Sequence, residues 1–396
     1  MGEKMRRNVR LLAWLKFGHM FMLAMAVIVP YWNDLGLDQQ AIYQLQTVFL
    51  LTVVVFEVPS GYFADRFGRR TSLIWGHAMW ALGWSGYVFA DTWFEFAIAE
   101  VVLGLGVGFT SGADGSLRYD SLLFMGDEER NLRESSRAVS WGSLGEGVAG
   151  LIGAALALIS LRSPIIAQAI VSVAMTPIVL ALTEAPYEKR SQVHTPWREI
   201  WHITKFTLHD NRALKWLVMY AASLSTMTYT AVWLMQPYYL EVGVGIAWFG
   251  ALWFIKHLAL AFFSHRAEAI RDRFGLRSLL IWLPIVGVAT YLIIGASYTI
   301  WVLPIWIGFE LLRGVQVPVM IDQMHQQTTS HIRATVMSVN GLVLRSFFAV
   351  FALLMGWVSG TWGIQATLLA SAGIYGALTA VIFRGLDRNH TLSPKR

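Results

Sequence analysis

At 396 residues, with 14% charged residues and a mean hydropathy of +0.51, the chain carries too much apolar surface for a water-soluble domain and belongs in a bilayer. The absence of cysteine excludes disulfide frameworks, thiolate nucleophiles and cysteine metal sites. The net charge of +6 could serve nucleic acid, but a basic excess held on one side of a membrane is the ordinary orientation signal, so no nucleic-acid partner is expected.

Met1 to Arg10 is basic. The apolar run after it is longer than a secretory h-region and has no small-residue cleavage pattern, so it reads as a first span. A helix needs about 20 apolar residues to cross ~30 Å of hydrocarbon. Twelve such runs follow in chain order: 11–31, 41–63, 72–90, 94–111 with a polar continuation, 137–160, 163–183, 213–240, 244–264, 278–297, 299–321, 332–359 and 361–383. The expected fold is therefore an all-α membrane protein: a six-helix bundle over 1–183, a linker over 184–212, a second six-helix bundle over 213–383 and a tail over 384–396. Of the 31 lysines and arginines, 26 fall on one side of this arrangement and only Arg162 on the other, which makes both termini cytoplasmic. Within the linker, Trp197, Ile200, Trp201 and Phe206 recur at helical spacing, as in a helix lying in the interface, though a plain tether fits as well. Linker and tail are too short to house a soluble catalytic domain.

The loop Gly61-Tyr62-Phe63-Ala64-Asp65-Arg66-Phe67-Gly68-Arg69-Arg70 joins the second and third runs. Its carboxylate can sit on the positive N-terminal end of a neighbouring helix, and its arginines can meet carboxylates or anionic headgroups. Gly61 and Gly68 permit close approach and a left-handed turn. Asp272-Arg273-Phe274-Gly275-Leu276-Arg277 repeats the second half of that loop, with Asp65 and Asp272, Gly68 and Gly275, and Arg70 and Arg277 each 207 positions apart. Glu100 and Gly104 likewise match Glu310 and Gly314 at a spacing of 210. Asp120 precedes Arg137-Ala138-Val139-Ser140 much as Asp322 precedes the segment from Arg333 to Ser338. The two halves read as parallel repeats.

Charges inside the spans are costly and are functional candidates by default. Away from the run ends they fall at Lys16, Glu57, Glu100, Glu146, Lys256, Glu310, Arg313 and Arg345, with none in the third, sixth, ninth or twelfth run. Glu146, Lys256, Glu310, Arg313 and Arg345 lie at middle depth, counting 1.5 Å per residue. Glu310 and Arg313, three apart, either neutralise each other or handle substrate and protons. Glu146 has no partner on its own helix. It reads as the proton carrier, or else as a carboxylate held by Lys256 or Arg345. Gly142, Gly145, Gly147, Gly150 and Gly153 give the same helix a close-packing face. The seventh run is polar and aromatic, with Tyr229 and Trp233 among side chains that suit either a cavity wall or interhelical hydrogen bonds. Trp14, His19, Met22 and Met25 lack further donors at ligand spacing, so no metal site is assigned.

The G-x-x-x-D-R-x-G-R-R loop, with its degraded copy six spans later, resembles the cytoplasmic signature of the major facilitator superfamily, and the resemblance covers essentially the whole chain. It implies that the uncharged third, sixth, ninth and twelfth spans face lipid. It also implies that Gly61, Asp65, Arg66, Gly68, Arg69 and Arg70 form a gate, Asp65 contacting the eleventh span when the cytoplasmic side is shut. Asp120, Arg118, Asp272, Arg273, Gly275 and Arg277 are the secondary gating candidates. The glycine-rich fifth span resembles that of twelve-span drug/proton antiporters, but its usual proline is missing, and Glu100 stands where such exporters often carry an arginine.

The expectation is a monomeric inner-membrane exporter that moves a small organic solute by alternating access, driven by the proton gradient and using no cofactor. Its substrate and proton pathway comprises Glu100, Glu146, Tyr229, Trp233, Lys256, Glu310, Arg313 and Arg345. Import or exchange of an anionic or zwitterionic, siderophore-like metabolite is the alternative; a receptor or lipid scramblase on the same scaffold is a third class. With no HExxH, Gly-x-Ser-x-Gly or Cys, the chain does not read as an enzyme.

Overall fold

In hydrocarbon, each backbone N–H or C=O left without a partner costs several kcal/mol, so apolar runs of this length fold into helices that satisfy their own backbone. The computed structural model describes residues 1–186, 204–328 and 330–388, and the described residues form helices and turns with no strand. In chain order the helices are α1 (Gly2–Met20), α2 (Ile28–Asp34), α3 (Gln39–Phe67), α4 (Arg69–Phe89), α5 (Trp93–Thr110), α6 (Ala113–Phe124), α7 (Asn131–Ala157), α8 (Ser163–Ala174) and α9 (Thr176–Leu180). They continue as α10 (Arg212–Glu241), α11 (Phe249–Phe274), α12 (Leu276–Ser297), α13 (Ile307–Gln326) and α14 (Ser330–Arg388). Nine segments of the described residues are long and apolar enough to cross a membrane.

Local chemistry sets the breaks. Gly68 at φ +100° starts α4 in a conformation that side-chain-bearing residues avoid, and Gly112 at φ +75° separates α5 from its polar continuation α6. Thr92 and Glu95 close a reciprocal capping box at the start of α5. The range α14 holds the last two expected spans as two helices, parted by a kink at Gly363, where φ is 79°.

The first and sixth spans depart from the expectation of one continuous helix each. The run 11–31 unwinds after Met20, from Phe21 to Val27, before α2 begins. There the Leu23 N–H donates to Gln168 Oε1 of α8 at 2.7 Å, so a side chain replaces the missing helical partner. Pro177, which lacks an N–H, falls at the start of α9, where the sixth span breaks. The interfacial helix expected around Trp197 lies outside the described residues up to 203; Phe206 opens a π-helical turn, Phe206–Asp210, that leads into α10.

Two compact units result. The first comprises Met1–Leu37, Val48–Val193 and Ile246–His257; the second comprises Asp38–Thr47, His194–Gly245 and Leu258–Arg396. In the first, Met5, Leu12, Leu15, Leu73, Leu117 and Leu182 share a core. Asn8 pins that core: its Nδ2 donates to the Thr183 carbonyl at 2.7 Å and to Ser121 Oγ at 3.1 Å, and its Oδ1 accepts from the Thr183 N–H at 2.9 Å. In the second unit α10 is buried nearly all round. Its polar residues bond to neighbouring helices, Tyr220 to the Leu280 carbonyl and Thr230 Oγ1 to Tyr375 Oη at 2.5 Å.

Candidate functional site

The glycine face of α7 decides what surrounds Glu146. A Cβ at Gly145 would lie 2.7 Å from the Phe17 ring of α1, and one at Gly150 would lie 2.6 Å from the Trp253 ring of α11. From the other side, a Cβ at Gly250 would lie 2.6 Å from the Gly150 carbonyl oxygen. Within the first unit, then, α7 meets the start of α11 at near-backbone distance, as small-residue faces allow. That approach brings His257 Nε2 to 3.4 Å from Glu146 Oε1. His257 is 6% exposed and the Glu146 side chain 20% exposed, so the carboxylate is the less enclosed of the two. Lys256, also buried, places its ammonium 4.0 Å from the Trp253 ring centroid, a cation–π contact, and the His257 ring lies 5.4 Å from the same indole.

A carboxylate and an imidazole at this separation can share one proton as a neutral pair, GluH with His or Glu⁻ with HisH⁺. Passing that proton between the two groups keeps the site neutral in a low-dielectric interior, whereas net uptake or release of a proton changes its charge by one.

Two further polar clusters lie in the first unit. Buried Glu100 accepts a hydrogen bond from the Tyr87 hydroxyl, beside Tyr31, Trp32 and Phe96. His19 Nε2 lies 3.3 Å from His77 Nδ1, and His77 Nε2 lies 3.3 Å from Thr176 Oγ1. Among the described residues no group of three or more His, Asp or Glu side chains is arranged to hold a metal ion.

In the second unit Glu310 is buried, and the Arg313 guanidinium carbon stands 5.2 Å from the Tyr229 ring centroid. Trp233 is buried, its carbonyl accepting from Gln39 Nε2 at 2.9 Å. Arg345 lies near Gly341, whose added Cβ would meet Arg345 Nη1 at 3.8 Å.

The signature loop is clamped within the first unit. Glu184, just past α9, accepts from the Arg69 and Arg70 backbone N–H groups at 2.9 and 2.8 Å, neutralising the positive end of α4. The Arg69 guanidinium pairs with Asp120 and donates to the Ser116 carbonyl at 3.1 Å. Arg70 donates to the carbonyls of Leu182 at 2.6 Å and Leu180 at 3.1 Å, while Arg66 reaches the Tyr62 hydroxyl at 2.8 Å. A Cβ at Gly68 would meet the Glu184 carboxylate at 2.7 Å, a second reason for glycine there. Arg118 reaches Asn131 Oδ1 at 3.3 Å and Ser135 Oγ at 3.2 Å. In the second unit Arg271 pairs with Asp322 and Asp272, both at 3.0 Å. Gly275, at φ +76°, starts α12 as Gly68 starts α4.

The sequence matches the Major Facilitator Superfamily over residues 11–347. The chain belongs to this superfamily. It is a transporter, not an enzyme. Among solved structures, this facilitator superposes on a mutant of the nucleoside transporter NupG with a TM-score of 0.79 at 13% identity, covering 96% of this chain and 99% of that one. A D-xylose-proton symporter gives 0.72 at 13% identity over 98% and 97%, and the POT family transporter PepTSo gives 0.74 at 14% over 99% of each. A search of curated proteins returns no match. Identities this low establish the shared fold.

Three residues of this facilitator were missed by a search of the spans for Asp, Glu, Lys and Arg. His257 sits beside Lys256 in an apolar run, and a histidine adjacent to a buried cation was a usable signal. Glu184 is the first residue past the sixth run, an acid on the basic side. Gln168 carries no charge and had no signal; only the unwound segment of the first span gives it a task.

Proposed function

We propose that this facilitator is a proton-coupled secondary transporter of a small organic solute, with twelve spans, cytoplasmic termini and alternating access, working as an exporter. Glu146 is its proton carrier and His257 the partner that accepts or returns the proton. The juxtaposition of Glu146 and His257 at 3.4 Å, against a glycine face, carries this reading. The exposure difference supports it too, since the carboxylate is the less enclosed of the two. The loop around Asp65, Arg69 and Arg70 gates the cytoplasmic side, with Glu184 and Asp120 holding its geometry. The test is solute flux in proteoliposomes under an imposed pH gradient, before and after an uncoupler. Flux that ignores both the gradient and the uncoupler removes proton coupling.

A second reading is favoured by the cations faced with aromatic rings, Arg313 with Tyr229 and Lys256 with Trp253. Ring-faced cations suit an anionic or zwitterionic solute, imported or exchanged. A thermal-shift screen with cationic, zwitterionic and anionic compounds at two pH values separates the two readings.

A further inference from the structure

The second unit holds a cavity of about 660 Å³ that the transport reading leaves unused, at the boundary where α10 begins and α14 approaches its end. Arg212, Lys215 and Arg384 line it together with Trp216, Val381 and Gly385. Its remaining wall residue, His209, is paired with Asp210 at 3.0 Å. Among the described residues no carboxylate forms an ion pair with Arg212, Lys215 or Arg384. Three permanent cations thus converge on one hollow, where their mutual repulsion favours an anion. The positive end of α10 adds to that field.

The walls fit a ligand with an apolar part as well as a charged one. Val381 is 61% exposed, and in a chain of this class such a residue at a span end meets acyl chains. Trp216 is the side chain expected at headgroup depth, and the Lys215 ammonium lies 5.7 Å from its ring. Gly385 shapes the pocket: a Cβ there would fall 2.5 Å from the indole, so glycine lets the ring lie flat against α14 and leaves the hollow open. The volume lies inside the ~300–1,000 Å³ range of small-molecule sites, ample for a phosphodiester headgroup.

We propose that this cavity binds the phosphate of an anionic phospholipid, the phosphate meeting Arg212, Lys215 and Arg384 and the acyl chains leaving past Val381 and Trp216. A soluble phosphate would meet the same cations and would have no use for the apolar wall.

The experiment is native mass spectrometry of the delipidated full chain in detergent, titrated with dioleoylphosphatidylglycerol, with dioleoylphosphatidylcholine and with sodium phosphate. Phosphatidylglycerol should bind at least tenfold tighter than phosphatidylcholine and resist displacement by millimolar phosphate. The double substitution Lys215→Gln/Arg384→Gln should weaken it about 25-fold, each cation near a headgroup contributing roughly fivefold. Arg384→Gln alone, at an exposed position, should weaken it about fivefold and guards against loss of folding in the double variant. Equal binding of the two lipids, or unchanged phosphatidylglycerol binding in both variants, overturns the site. Displacement of phosphatidylglycerol by millimolar phosphate overturns the lipid assignment and makes a soluble phosphate the occupant.

Discussion

Replacing Glu146 with glutamine keeps its volume and removes both its charge and its capacity to carry a proton. At the observed 3.4 Å, a carboxylate and an imidazolium attract each other by about 5 kcal/mol at an effective dielectric constant near 20. One elementary charge moved through 100 mV gains about 2.3 kcal/mol. A proton held by the full attraction could not be released by such a potential, so desolvation and the change of surroundings during transport must offset at least half of it. If one proton moves per solute, 2.3 kcal/mol sustains a solute gradient of about 50-fold. Glu146→Gln should therefore reduce the gradient reached by energised proteoliposomes from about 50-fold to about unity. Exchange of labelled for unlabelled solute should persist, because it needs no net proton movement. The assay is uptake of a solute identified by thermal shift, with and without an uncoupler. A Glu146→Gln protein that still builds an uncoupler-sensitive gradient refutes the proton-carrier role.

Other perturbations test the surrounding structure. Gly150→Ala puts a methyl group 2.6 Å from the Trp253 ring, so it should lower stability by about 1–3 kcal/mol and reduce driven transport; an unchanged melting temperature counts against the close α7–α11 contact. Glu184→Ala leaves two backbone donors of α4 without their acceptor and should cost about 1–2 kcal/mol in thermal unfolding, whereas Glu184→Gln, which keeps one carbonyl oxygen, should cost less; equal losses would sink the capping role. Asp65→Asn should shift the balance between inward- and outward-open forms, read as labelling rates of cysteines introduced on the cytoplasmic side, and rates matching the parent would end its assignment to the gate. Arg345→Ala should weaken anionic ligands more than neutral ones by about tenfold, and equal losses would dispose of the anionic-solute reading.

Much of the molecule was legible because the bilayer is an unforgiving solvent. Apolar runs long enough to span it must be helical, and charges within them must find partners or water, so Glu100, Glu146, Lys256 and Glu310 stand out in the sequence. The 207-residue repeat likewise announced two related halves, and left-handed glycines start α4 and α12 at its matched positions Gly68 and Gly275. The unwound segment from Phe21 to Val27 was not legible, since an apolar run looks the same whether its N–H groups bond within the helix or to a side chain 145 positions away. The polar continuation of the fourth run was readable and is the helix α6 that starts past Gly112, and the division of the last two runs was readable as the break at Gly363.

The sequence by itself determined the solvent, the helical class, the superfamily and the short roster of buried ionisable groups, because each follows from local composition and spacing. Partner choice belonged to the tertiary structure. Whether Glu146 would meet Lys256, Arg345 or His257 depends on the few ångströms by which two helices approach, and the glycines of α7 and α11 set that distance. Electrostatic attraction and proton transfer fall off steeply over those same few ångströms, so what the residues can do was decided by packing.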